Sequence, residues 1–223
     1  MYLSKFLIII CLTSATPITI FSQTLPTGFV DLKKEIPDII LDIRYATPNN
    51  FVGEKLDGYE EGFAWGLKEM ALALNEVQKE LKEIKLGLKI FDAYRPLRAE
   101  KHMLRWAMSN NKNHLLGVYI PLKVRTDSVY GHTSGNMIDL TLVDDTGKEL
   151  NMGTDFDEFS EKAHTLNAKG DILENRNKLQ AVMKKYGFKN YPKEWWHFTF
   201  QAKTGKALDI PLGMPKNPVV QTK

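Results

Sequence analysis

Two short stretches hold most of the residues able to do chemistry. The first is Tyr130-Gly131-His132-Thr133-Ser134-Gly135-Asn136-Met137-Ile138-Asp139, and the second is Glu194-Trp195-Trp196-His197-Phe198. His132 sits in a glycine-flanked turn, Asp139 enters the best strand pattern of the chain, and His197 lies at the start of the last one. Two imidazoles and a carboxylate make a three-donor site suited to catalytic zinc, with a fourth position left for water. Zinc so held lowers the pKa of water toward ~7, which makes hydroxide available at neutral pH. A carboxylate that does not bind the metal can move the proton. Glu194, just ahead of His197, is placed for that.

The spacing imposes a condition. His132 and Asp139 are separated by an odd number of residues and so fall on opposite faces of a regular strand. Gly135 must therefore permit a bend between them. Plainer roles also fit the residue types: an imidazole packed beside aromatic rings for His197, a strand-end cap for Asp139, a surface charge for Glu194.

The elements that must carry these residues read as mixed α and β. GFVDL from Gly28 and IILDIRYA from Ile39 are short β-rich runs. Leu67, Met70, Ala71, Leu74, Val77, Leu81 and Ile84 keep helical spacing, and Gly87 is the expected stop. LKIFDAY then reads as a strand halted by Arg95-Pro96, because the residue before proline avoids helical backbone. Residues 98–110 read as a helix and 111–127 as a long loop. IDLTLV, Ile138 to Val143, is a strand followed by a tight turn at Asp144-Asp145-Thr146-Gly147. Residues 155–164 and 174–186 are expected helices, 195–200 a last strand, and the tail after Pro211 irregular. Long elements without a strict βαβ rhythm predict an α+β single domain: a central antiparallel sheet flanked by helices, with the zinc site at the sheet.

Composition is ordinary for one globular domain: 223 residues, 43% hydrophobic and 26% charged. A formal charge of +3 gives little support for a nucleic-acid partner. After Lys5 the chain is apolar and uncharged from Phe6 to Phe21, the layout of a secretory signal peptide over residues 1–22. Pro17 interrupts the run, which is short for a membrane span. Ser22 suits cleavage, leaving the functional domain at 23–223 and no stable membrane association. An uncleaved anchor and a lipoprotein at Cys11 are the alternatives. Cys11 is the only cysteine, so cleavage removes every thiol and with it disulfides, thiolate ligands and Cys nucleophiles. The expected location is secreted or periplasmic. There is no G-x-S-x-G, phosphate-binding glycine loop, Rossmann fingerprint or H-E-x-x-H.

H-x-x-G-x-x-x-D (His132, Gly135, Asp139) followed by E-x-x-H (Glu194, His197) resembles the signature of zinc D-alanyl-D-alanine dipeptidases. That family is grouped with D,D-carboxypeptidases and the hedgehog signalling domain. Asp92-Ala93-Tyr94-Arg95-Pro96 is similar to its D-x-Y-R-P, and Met152-Gly153-Thr154-Asp155-Phe156-Asp157 to its M-G-x-x-F-D. Ile138 to Leu142 and the run Leu41 to Thr47 also look familiar, so the likeness extends from about residue 28 to 200. It implies one zinc per chain on His132, Asp139 and His197, Glu194 as catalytic base, and Arg95 stabilising the oxyanion. A guanidinium aimed at developing negative charge supplies the donors such a site needs. It implies Asp157 as the receiver of the substrate's free ammonium. A structural ion pair for Arg95 and a helix N-terminal acid for Asp157 are the plainer alternatives.

The implied reaction is hydrolysis of the D-alanyl-D-alanine dipeptide in cell-wall peptide metabolism. The alternatives are a D,D-carboxypeptidase acting on muropeptide stems and a non-catalytic zinc-stabilised binding module. The chain departs from the family pattern at Tyr130 and Gly131, where small hydroxyl residues are usual, and at Met137, where a small residue is. His102, His114 and His164 read as non-ligating, and Trp195-Trp196 as packing around the site. Wall turnover, nutrient recovery and glycopeptide resistance are all open as roles. Export argues against resistance, since depletion of a precursor dipeptide happens in the cytosol. Oligomeric state has no signature in the sequence.

Overall fold

The computed structural model describes residues 25–124, 131–201 and 206–213. The expected leader over residues 1–22, Cys11 within it, and Tyr130 lie outside the described residues. The chain runs β1 (Phe29–Asp31), α1 (Leu32–Glu35), β2 (Ile40–Leu41), β3 (Trp65–Leu67), α2 (Lys68–Glu83), β4 (Leu86–Asp92), α3 (Leu97–Ser109), β5 (Met137–Asp144), α4 (Gly170–Lys185), β6 (Phe188–Asn190) and β7 (His197–Phe200). Five strands form one sheet in the order β2-β4-β5-β7-β6, and β1 pairs with β3 in a separate ribbon.

The expected all-antiparallel sheet needs one correction. β4, β5, β7 and β6 are antiparallel, but β2 lies parallel to β4. The chain between β2 and β4 passes through β3 and α2, a crossover long enough to bring the next strand back in the same direction. The sheet is therefore mixed.

α2 forms where the apolar stripe predicts it. Met70, Ala71, Leu74, Val77 and Leu81 are buried on one side. The helix stops before Gly87: Ile84 is the C-cap and Lys85 takes φ 58°, the left-handed conformation that turns the chain into β4. Gly87 lies inside β4, where an added Cβ would press on the Gln78 amide at 3.2 Å. Gln78 accepts from Leu88 N at 2.9 Å and so ties α2 to β4. α2 and α4 pack on each other and on the sheet. Leu88, Ile90, Ile138, Leu140 and Leu142 are sealed beneath them.

Two local expectations change. Ile39 to Ala46 is strand only at Ile40–Leu41 and then a 3-10 turn at Arg44–Ala46. Residues 155–164 are loop with one 3-10 turn, Glu161–Ala163, instead of a helix. The cause is Arg176 on α4, fully buried, which donates to the carbonyls of Met152, His164 and Lys162 at 2.8, 2.8 and 2.9 Å. Three bonds to one planar guanidinium hold the loop open in a shape no helix has. Leu212, just after Pro211, bridges to Tyr59 and is fully buried, and residues 214–223 lie outside the described residues. No helix of the described residues is long and apolar enough to cross a membrane.

Candidate metal centre

Strand register brings the chemistry together. Asp139 on β5 pairs with Asp92 on β4 and with His197 on β7, so three side chains meet across three adjacent strands. A register shift between Ile90 and Asp92 reorients the end of β4 at that point. His132 arrives from a 3-10 turn, His132–Ser134, bounded by Gly131 at φ 146° and Gly135 at φ 75°. Gly135 supplies the bend that the spacing requires, and a Cβ there would collide with Phe29 at 2.3 Å.

One donor atom each from His132, Asp139 and His197 lie within 4.8 Å of one another. His197 Nδ1 is 2.9 Å from Asp139 Oδ1 and 3.3 Å from His132 Nε2, and His132 Nε2 is 3.4 Å from Asp139 Oδ2. His132 donates from Nδ1 to the Ala93 carbonyl at 2.6 Å. That bond fixes the tautomer and leaves the Nε2 lone pair facing the cluster. Two imidazoles and a carboxylate in this arrangement fit a zinc ion, which favours nitrogen donors with one hard oxygen. His132 and Asp139 are buried and His197 is half-buried. Burial works against the charge of Asp139, yet the two imidazoles hold its carboxyl well below the usual range. Burial would depress His197, but Asp139 outweighs it and raises the imidazole.

A tight loop delivers Glu194. Glu194 N donates to Tyr191 O, and Asn190 Nδ2 donates to the carbonyls of Glu194 and His197 at 2.9 and 3.0 Å. Glu194 Oε2 stands 3.6 Å from His197 Nδ1. Burial, offset in part by His197, pushes its carboxyl up to about 7. A carboxyl poised there can take a proton and return it at neutral pH.

Arg95 is buried and joins both readings of its role. Its Nε and Nη2 donate to Asp92 Oδ2 at 3.0 and 2.8 Å, and Nη2 reaches to 3.7 Å from Asp139 Oδ2. It is an ion pair and also part of the cavity wall. Asp92 is the hub: Tyr59 donates to its Oδ1 at 2.5 Å, and His132 Nδ1 lies 3.3 Å from its Oδ2. Burial raises its carboxyl and outweighs Arg95, His132 and Tyr59, which all favour the ionised form.

Asp157 lines the same cavity at φ 64°, a conformation unusual for a residue with a Cβ. It is not at a helix N-terminus. Tyr45 donates to its Oδ1 at 3.1 Å, whereas its Oδ2 is buried with no partner. Burial first, then the charge of Asp139, pushes the carboxyl far up from its usual range. Alone, this carboxyl favours its neutral form; a cation beside the open Oδ2 is what would hold it ionised.

The cavity encloses about 290 Å³, room for a small molecule, and also touches Glu100, Lys123, Gly131 and Met137. Sequence reasoning passed over Tyr59, Glu100 and Lys123. Glu100 did carry a signal: it interrupts the stripe Leu97, Met103, Ala107 that α3 buries. Trp195 and Trp196 are buried and pack the site: Trp195 donates to Thr154 Oγ1 at 2.8 Å, and Trp196 forms part of the cavity wall. His102 contacts Glu54 at 3.0 Å and Asp57 at 3.4 Å, and His164 contacts the Tyr119 hydroxyl, all apart from the cluster.

Comparison with known proteins gives consistent matches. A family model described as D-ala-D-ala dipeptidase matches residues 26–211. A D-alanyl-D-alanine dipeptidase of Enterococcus faecalis (strain ATCC 700802 / V583) is 37% identical over 182 residues, 77% of this chain and 90% of its own. One of Enterococcus faecium is 33% identical over 186 residues, 78% and 92% respectively. Among solved structures, the LdcB LD-carboxypeptidase aligns with a TM-score of 0.46 at 20% identity, over 80% of this chain and 70% of that one.

Proposed function

The chain belongs to the D-Ala-D-Ala dipeptidase family, and from that premise we propose that it is a zinc-dependent enzyme hydrolysing D-alanyl-D-alanine to two molecules of D-alanine. The observation that carries this reading is the cluster of His132, Asp139 and His197 with Glu194 beside it and Asp157 open to a cation. His132, Asp139 and His197 would hold the metal. Zinc bound there would supply Lewis acidity and lower the pKa of a water toward ~7.

The remaining work belongs to side chains. Asp157, steadied by the Tyr45 hydroxyl, receives the substrate's ammonium and fixes its distance from the ligand cluster. Glu194 takes the proton of the attacking water and delivers it to the amine that leaves. Arg95, locked by Asp92 so that it cannot turn away, presents its guanidinium to the charge developing on the carbonyl oxygen. Asp92 and the Ala93 carbonyl keep His132 in one tautomer throughout.

Export is part of the proposal. The cation and apolar run before Gln23 support removal of residues 1–22 and a secreted or periplasmic enzyme. A dipeptidase there acts on wall-derived peptide and not on the cytosolic precursor pool. N-terminal sequencing of the protein from culture should begin at Gln23, and material starting at Met1 overturns this part.

The activity itself is tested on purified zinc-loaded protein by D-alanine release. Wild type turns over the free dipeptide, whereas Glu194→Ala falls by roughly 10²- to 10⁴-fold in kcat with its zinc content kept. Full activity in Glu194→Ala rejects the assigned base. Faster release from an N-acylated tripeptide than from the dipeptide favours a D,D-carboxypeptidase, and metal binding without turnover of either favours a binding module.

A further inference from the structure

We propose that Lys123 receives the α-carboxylate of the substrate and so sets the preference for a free C-terminus; the inference rests on the dipeptidase reading above. A free dipeptide is a zwitterion whose two charged ends lie no more than about 7 Å apart when extended. A site that recognises it needs an anion for one end and a cation for the other. The described cavity lining is rich in acids, with Glu100, Asp139, Asp157 and Glu194, and holds only two Lys or Arg residues, Arg95 and Lys123.

Arg95 already has its task at the reacting carbonyl oxygen and is held in place for it. Its Nε and Nη2 are bound to Asp92, its Nη1 points to Met103 Sδ at 3.5 Å, and its guanidinium carbon stands 5.0 Å over the Tyr45 ring. The hydroxyls of Tyr45 and Tyr119 are also engaged, with Asp157 and His164. Lys123 is exposed and makes no hydrogen bond or ion pair among the described residues. It stands at the cavity mouth, where the cavity and a neighbouring surface groove share Lys123, Met137, Glu194 and His197.

Glu100 gives the carboxylate its direction. It is 9% exposed, faces the cavity from α3, and has no hydrogen bond or ion pair among the described residues. An unpaired acid on that wall repels a second carboxylate. With Asp157 taking the ammonium, the carboxylate end is turned from α3 toward the mouth and the Lys123 ammonium.

Steady-state kinetics on D-Ala-D-Ala and on D-Ala-D-alaninamide, which lacks the carboxylate, test this in wild type, Lys123→Gln and Lys123→Arg. The expected result is a KM for the free acid raised roughly three- to tenfold in Lys123→Gln, kcat moving far less, and recovery in Lys123→Arg. The penalty falls on the free acid and not on the amide. Raising salt from about 0.05 M to about 0.5 M weakens wild-type binding and closes the gap to Lys123→Gln, because an exposed attraction is screened. An unmoved KM for the free acid, or an equal rise for acid and amide, overturns the assignment. A wild-type enzyme that hydrolyses neither compound instead overturns the dipeptidase reading, and the assignment with it.

Discussion

Asp139 Oδ1 lies 2.9 Å from His197 Nδ1, across the pairing of β5 with β7 and 58 residues away in sequence. The same carboxylate faces His132 through its other oxygen, and Arg95 stands 3.7 Å behind it. Asp139 therefore joins the metal cluster to the buried Arg95–Asp92 pair. What is done to one is felt by the other.

Removing the metal should expose that dependence. A chelator is expected to abolish D-alanine release, and added zinc to restore it. The metal-free protein should also melt lower, because an ion that binds only the folded chain stabilises it by mass action. Asp139→Ala should bind no zinc and lose stability by about 3–5 kcal/mol, since Arg95 and the imidazoles lose a buried partner. Differential scanning calorimetry with and without zinc checks both, and a melting temperature indifferent to metal contradicts the assigned ligands.

Asp157→Asn keeps the shape of the side chain and removes its charge. KM for the dipeptide should rise by about tenfold or more, while turnover of an N-acylated substrate moves little. The ratio of kcat/KM for the two substrates is the measurement. A ratio that stays at its wild-type value separates Asp157 from ammonium recognition.

Arg176 on α4 shapes the loop that carries Asp157, through its bonds to the Met152, Lys162 and His164 carbonyls. Arg176→Met fills the volume but abandons three buried carbonyls, each worth roughly 1–3 kcal/mol when left unpaired. The expected variant unfolds at markedly lower denaturant and binds the dipeptide more weakly. Arg176→Lys should not rescue it, because an ammonium cannot reach three divergent acceptors from one plane. Urea titration with a parallel KM measurement tests the pairing of the two effects.

Asp209 reaches from the C-terminal segment to the start of α3, accepting from Arg98 N at 2.9 Å and from its guanidinium at 2.9 Å. Burial alone would raise its carboxyl, but the Arg98 bonds outweigh that and lower it from 3.8. A carboxyl lowered on folding adds stability that is complete above its unfolded pKa and lost as pH falls through its folded one. Asp209→Asn should therefore melt below wild type at neutral pH, the gap shrinking once pH drops under 3.8. A gap of constant size down to acid pH assigns the effect to shape instead of charge.

Much of the site was legible because short-range patterns carried it. Glycines at 131 and 135 announced a turn around His132, the apolar stripe of α2 fixed its buried side, and E-x-x-H needed only a compact loop to place Glu194 beside His197. These depend on backbone conformation within a few residues. The stop at Gly87 misread a turn that Lys85 makes, and the helix expected over 155–164 lost to Arg176, which no local pattern reveals.

What the tertiary structure alone decided is pairing across distance. Whether β2 runs parallel to β4, which acid receives Tyr59 and Arg95, and how Asp157 comes to lie under Tyr45 all depend on segments tens of residues apart. Side-chain types state what chemistry a residue can do. The register of β4, β5 and β7 states where it is done, because strand pairing sets positions by hydrogen bonds between segments that share no local signal.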